Sequence, residues 1–203
     1  MYLFIDSTYD LYLGILDESL EWLDFANYNG QKASAILQPK VHELLAKHNL
    51  LATSLKGLFI VNGPGFYTGL RLAEGFSDVL SFFGVKKYSF YSYEIPYWCG
   101  HEKGTWFTKA YRGEYFFFNW DGNAQSSKLI KASDLESISL SESVFIHSRS
   151  SLDAISEAVV QGPIHTIDLL RSKPGKIFSR ALQQPSKEPF YFRAPEDEFK
   201  VNP

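Results

Sequence analysis

Apolar and polar positions follow two different rhythms along the first half of the chain. Tyr2 to Asp6 and Leu11 to Leu16 are short apolar runs joined by a brief polar turn. Leu20 to Tyr28 is a third run, closed by the turn pair Asn29-Gly30. These runs predict three strands. The period then changes. Leu37, Val41, Leu44, Leu45 and His48 share one face of a helix expected from about Gln31 to Asn49. Pro39 interrupts it early, so it either opens a new first turn or kinks the helix, because its ring removes a backbone donor. Leu58 to Val61 reads as a short buried strand. Leu72, Phe76, Val79, Leu80 and Phe83 recur at i, i+4, i+7, i+8 and i+11, which predicts a second helix from about 68 to 84. Thr68 is placed to cap it. The resulting β-β-β-α-β-α order favours a sheet with helices on its faces.

The second half is less regular. Thr105 to Ala110 and Tyr115 to Trp120 predict two strands around Arg112-Gly113, and Val144 to His147 a further one. Leu152 to Val159 and about Pro174 to Gln184 predict helices. From Pro185 onward, prolines and charges are dense, so this tail is expected to lie extended on the surface. The sequence contains no visible internal repeat.

Composition narrows the class. A chain of 203 residues with 45% hydrophobic content can bury a substantial core. No apolar run reaches the roughly 18 residues of a membrane span. The N-terminus reads as a strand without the basic start of a signal peptide. Cys99 is the lone cysteine, so an internal disulfide is excluded and a reducing cytoplasmic setting is expected. The net charge of -3 does not suit a protein that grips a nucleic-acid backbone alone. The total leaves room for a local basic patch, for example around Arg171, Lys173 and Lys176.

The densest local signal is Asn62-Gly63-Pro64-Gly65-Phe66-Tyr67-Thr68-Gly69-Leu70-Arg71, between a strand and a helix. Glycine permits close approach of another chain or a ligand. Two phosphate loops fail by spacing. A Walker loop needs Gly then Lys after four intervening residues, but Thr68 stands at that glycine and no lysine follows. The Gly-x-Gly-x-x-Gly fingerprint also meets Thr68 at its third glycine, with Gly69 one step late. A helix N-terminus aided by Arg71 could still hold an anion. The plainer reading is a turn that packs tightly on its own chain. Histidines His42 and His48 are six apart, which gives no shared ligand face, and no Cys-x-x-Cys occurs, so a zinc site is not expected. No Gly-x-Ser-x-Gly elbow supports a serine nucleophile.

The segment Gly63 to Arg71 resembles the GPGSFTGLR signature of the TsaB (YeaZ) family, which serves synthesis of threonylcarbamoyladenosine in tRNA. Phe4-Ile5-Asp6-Ser7-Thr8, Leu37-Gln38-Pro39-Lys40-Val41, Tyr111-Arg112-Gly113-Glu114-Tyr115 and Pro189-Phe190-Tyr191-Phe192-Arg193 resemble further family segments in the same order. The resemblance is dense to about Val85 and scattered beyond. It implies an α/β fold of the actin-like, sugar-kinase-like (ribonuclease H-like) type with two lobes, 1–92 and 93–203. The second lobe is expected to be small and divergent, with its last helix free to pack back on the first.

The resemblance also implies a function. The chain is expected to be a non-catalytic scaffold for a TsaD-type subunit and a TsaE-type ATPase, which transfer threonylcarbamoyl to adenosine 37 of tRNA. It would meet tRNA only through that complex and form a homodimer when alone. A small-molecule kinase or nucleotide-binding protein of the same fold is the first alternative, and a peptidase the second. In this fold an aspartate at the end of the first strand organises metal and phosphate, which makes Asp6, Ser7 and Thr8 the candidate cofactor-facing residues. Against that, their loop lacks glycine and Lys109 replaces a family aspartate. Asp6 then simply caps its turn through backbone hydrogen bonds. No tightly bound cofactor is expected, with a nucleotide at the partner boundary left open. The helix pair offers small and apolar residues that either face the sheet or meet a partner. By resemblance the partner surface comprises Leu37, Val41, Leu45, Gly69, Arg71, Ala73, Gly75 and Phe76.

Overall fold

A computed structural model describes residues 1–138, 140–148 and 162–192. The helix expected from Leu152 to Val159 and the end of the tail from Arg193 lie outside the described residues. The first sheet opens with an antiparallel meander of β1 (Tyr2–Asp6), β2 (Tyr12–Leu16) and β3 (Trp22–Asn27). β4 (Gly57–Val61) lies parallel beside β1, and β5 (Lys86–Phe90) parallel beside β4. The order is β3-β2-β1-β4-β5. β1 and β4 are apolar at consecutive positions because both their faces are covered. Leu3, Ile5, Leu58 and Ile60 pack on one face with α1 (Ala33–Lys47) and α2 (Tyr67–Phe82). Phe4, Phe59 and Val61 point to the other face, into a core shared with the second half.

The second sheet repeats this plan. β6 (Lys103–Lys109), β7 (Glu114–Asp121) and β8 (Ala124–Lys131) form the antiparallel meander. β9 (Val144–Ile146) runs parallel beside β6, and β10 (Ile164–His165) parallel beside β9. Its order is β10-β9-β6-β7-β8. Each strand of the first sheet therefore has a counterpart of the same direction and place. This duplication is a two-lobe α/β arrangement, as expected, although the sequence shows no repeat. The second copy has five strands too, but β9 and β10 are only three and two residues long. Three short α-helices complete the described residues: α3 (Glu94–Trp98), α4 (Thr166–Ser172) and α5 (Pro174–Gln183). Phe178 of α5 meets Phe4, Trp22, Phe59 and Phe90, so α5 covers the inner face of the first sheet.

Local details add to the expectations or change them. β5, β8 and β10 carry no clear apolar rhythm. β5 and β8 end their sheets: Gln125 and Lys128 stand in solvent and blunt the open edge at β8, whereas the tail runs along β5 through Ser89 and leaves Lys86 exposed at its start. Pro39 neither starts nor ends α1; it sits inside it on the solvent side, where the missing donor is least costly. Phe66, not Thr68, is the N-cap of α2, and it makes no side-chain capping bond. The tail is extended as expected but is tied down rather than loose. Asn62 Nδ2 and Ser89 Oγ donate to the Lys187 carbonyl at 2.7 and 2.8 Å, and Phe190 N donates to the Asn62 carbonyl at 2.9 Å. Phe190 then packs on Tyr91, Tyr93 and Phe116, which closes the seam between the two halves.

Candidate functional site between the lobes

The glycine-rich turn is used up by its own chain. A Cβ on Gly65 would stand 2.8 Å from the Thr8 carbonyl oxygen, and one on Gly69 would overlap the carbonyl oxygen of Ser7. Gly63 has φ +108° and faces the Phe190 backbone. Hydrogen bonds fill the same contacts: Phe66 N donates to Thr8 O at 2.9 Å, and Ser7 Oγ to Gly69 O at 2.8 Å. The turn thus grips the β1–β2 loop on one side and the tail on the other. No phosphate-sized gap separates Gly65 and Gly69 from that loop, so the tight-packing reading of the glycines holds there.

Asp6 ends β1 fully buried, and both its oxygens are engaged. Oδ1 accepts from Thr8 N at 3.0 Å and Thr8 Oγ1 at 2.7 Å, the turn-capping role expected of it. Oδ2 lies 2.6 Å from His147 Nε2, across the boundary between the two sheets. A carboxylate only accepts, so Nε2 carries the proton. The other ring nitrogen, Nδ1, lies 2.5 Å from Thr166 Oγ1, which also lies 3.3 Å from the Ile146 carbonyl. A hydroxyl both donates and accepts, so Thr166 satisfies either charge state of the ring. Next to this pin, Thr108 Oγ1 donates to the Tyr9 hydroxyl, and Tyr9 donates to the Lys109 carbonyl at 3.1 Å. Burial pushes the Tyr9 phenol above its usual range. The loop expected to face a cofactor is therefore stitched to the second lobe at Asp6 and Tyr9.

Hydroxyl, imidazole and carboxylate in a row have the composition of an activated nucleophile. Here the hydroxyl belongs to Thr166, which is fully buried, so a substrate has no access to it. His147 was invisible as a partner of Asp6 because 141 residues separate them. Its only signal was a histidine at the end of an apolar strand.

Outside the pin, a cleft of about 490 Å³ opens between the lobes. The first lobe contributes Asp10, Phe25 and Asn27, the second His165, Asp168 and Arg171, and His147 forms its floor. Burial pushes the Asp10 carboxyl up, the nearby Asp6 carboxylate adds to this, and His147 and the Gly30 backbone oppose it. Arg171 lies over the Phe25 ring, 5.6 Å from its centroid. Basic residues expected as a patch thus divide, with Arg171 turned toward the cleft. Burial pushes the Cys99 thiol up, which fits a packed rather than a reactive cysteine.

The helix pair places the expected interface residues on two different faces. Leu37, Val41, Leu45 and Ala73 are at most 7% exposed and pack on the chain's own sheet. Gly69 is buried against Ser7. The apolar stripe is wide because the sheet takes it, so these five residues do not form an outward surface. Arg71 and Gly75 are exposed and Phe76 is half-buried. Arg71 rests against Tyr67 and Tyr191, with its guanidinium 5.3 and 5.7 Å from the ring centroids. The expected list omitted Val79, Phe82 and Phe83, exposed apolar residues at the end of α2, with Phe82 87% exposed.

No family model and no curated protein matches the sequence. Solved structures do. YeaZ from Pseudomonas aeruginosa superposes with a TM-score of 0.66 at 18% identity, covering 94% of this chain and 99% of that one. A second structure, of a protein described as similar to the peptidase YeaZ from Pseudomonas aeruginosa, gives 0.63 at 18% identity over 93% and 99%. At that identity the likeness speaks for the backbone alone, and nearly the whole length of both chains takes part in it. The chain is built on the same two-lobe frame as YeaZ.

Proposed function

We propose that this chain is a TsaB-type scaffold, a non-catalytic subunit that supports threonylcarbamoyl transfer to adenosine 37 of tRNA by a TsaD-type partner. The observation that carries the reading is the fate of Asp6. In a kinase of this fold the carboxylate ending β1 would face metal and phosphate; here both its oxygens are spent inside the protein. The sealed Thr166 hydroxyl speaks against a peptidase in the same way. The YeaZ-like frame, the family signature in the glycine turn and the net charge of -3 agree with a cytoplasmic partner protein that leaves tRNA binding to others. Its contact surface would be the outward side of α1 and α2, with Arg71, Gly75 and Phe76 joined by Val79 and Phe82. The same side would pair two copies when the partner is absent. A scaffold acts by binding the competent shape of its partner more tightly than the other shape.

The test mixes the chain with its cognate TsaD-type subunit, measures complex mass, and follows tRNA modification with the TsaE-type ATPase added. A stable complex and modification that requires this chain are expected. Absence of a complex, or ATP or peptide turnover by the chain alone that Asp6→Ala abolishes, would overturn the reading.

A further inference from the structure

We propose that the cleft between the lobes binds a small, uncharged, polyhydroxylated ligand: the ribose of a nucleoside, or a free sugar, in either case without phosphate. A volume of about 490 Å³ falls within the ordinary size of small-molecule sites. Its walls carry Asp10 and Asp168 as acceptors, Asn27 as both donor and acceptor, and Phe25 as an apolar flank. Carboxylates accept two hydrogen bonds at once, which suits neighbouring hydroxyl groups on a ring. Asp10 has lost water through burial, and hydroxyl donors would replace that water.

The same residues disfavour a phosphate. Beside the imidazoles His147 and His165, the lining holds two carboxylates, Asp10 and Asp168, against the single guanidinium of Arg171, so a dianion finds more carboxylates than fixed cations. The imidazole at the floor has both nitrogens engaged, by Asp6 and Thr166, and offers no free donor. The glycine-rich turn, the other source of backbone donors, packs on Ser7, Thr8 and Phe190 instead. The lining comes from both lobes, so a bound ligand would bridge them and hold their relative position. This inference does not depend on any partner subunit.

The test is calorimetric titration of the purified chain with adenosine and with D-glucose, each set against its phosphate ester, AMP and glucose 6-phosphate. Saturable binding of adenosine assigns the site to nucleosides, and of glucose to free sugars; either result supports the proposal when the phosphate ester binds at least tenfold more weakly. Asp168→Asn is the matching variant, because Asp168 is exposed on α4 and its replacement leaves the core untouched. It should keep the thermal unfolding profile and weaken binding at least tenfold. No binding of either probe up to about 10 mM, which lies beyond millimolar affinity, would overturn the proposal. Tighter binding of the phosphate esters, or unchanged affinity in Asp168→Asn, would do the same.

Discussion

Removal of His147 tests whether the Asp6 pin holds the two lobes together. Asp6 is fully buried and His147 only 3% exposed, so the contact is buried even though His147 lines the cleft. Whichever charge state the ring holds, deleting it leaves the buried Asp6 carboxylate without its partner on Oδ2, a loss of about 3–5 kcal/mol for a buried pair broken on one side. Asp6 keeps its two bonds from Thr8, which places His147→Ala near the lower end, about 3 kcal/mol. That is about 150-fold in the unfolding equilibrium at 1.4 kcal/mol per tenfold. It corresponds to roughly 6–12 °C in melting temperature for a chain of this size. Urea denaturation of His147→Ala, Asp6→Ala and the double variant would measure the coupling. His147→Gln offers a partial rescue, since its amide can donate toward Asp6. A loss below about 1 kcal/mol, or additivity within about 0.5 kcal/mol across the cycle, would refute the reasoning and reduce the pin to an incidental contact.

Three further outcomes follow from the same geometry. Gly69→Ala should cost about 1–3 kcal/mol by overpacking, because its Cβ overlaps the Ser7 carbonyl, whereas Gly75→Ala, with open space around it, should be neutral or stabilising in the same melt; equal effects would contradict the packed turn. Val41→Glu should abolish cooperative unfolding, because it forces a charge into the core at several kcal/mol, while Phe82→Ser should stay within about 0.5 kcal/mol of the parent as a surface change and weaken partner binding in a pull-down. The Asp10 carboxyl titrates above its unfolded value near 4, so its contribution is fully present below that value and is lost as pH rises through the folded one. Asp10→Asn should therefore match the parent at pH 3 and exceed its stability at pH 7 in urea titrations; a gain confined to acid would reverse the sign.

Local pattern alone determined much of the first lobe. β1, β2, β3, β4 and both helices are legible because apolar runs and a 3.6-residue period report directly on burial. The wide stripe on α1 was legible too, but not its occupant: sequence could not say whether Leu37, Val41 and Leu45 meet a sheet or a partner, and the sheet takes them. Edge strand β8 escaped because nearly all its side chains stand in solvent, where polar residues cost nothing, and β5 because it opens on Lys86 and Lys87 and buries only Ser89 and Phe90 fully. The duplication of the two sheets left no trace in residue identity, since a core needs volume and polarity rather than particular side chains. Spacing matched neither phosphate loop and pointed to a turn packed on itself, yet it could not name Ser7, Thr8 and Phe190 as what the glycines approach. Asp6 was recognisable as the residue at the end of the first strand, with its turn bond to Thr8 a matter of two residues. Its bond to His147 belongs to tertiary structure alone, because only the docking of one lobe on the other brings residues 141 apart within 2.6 Å in a buried site.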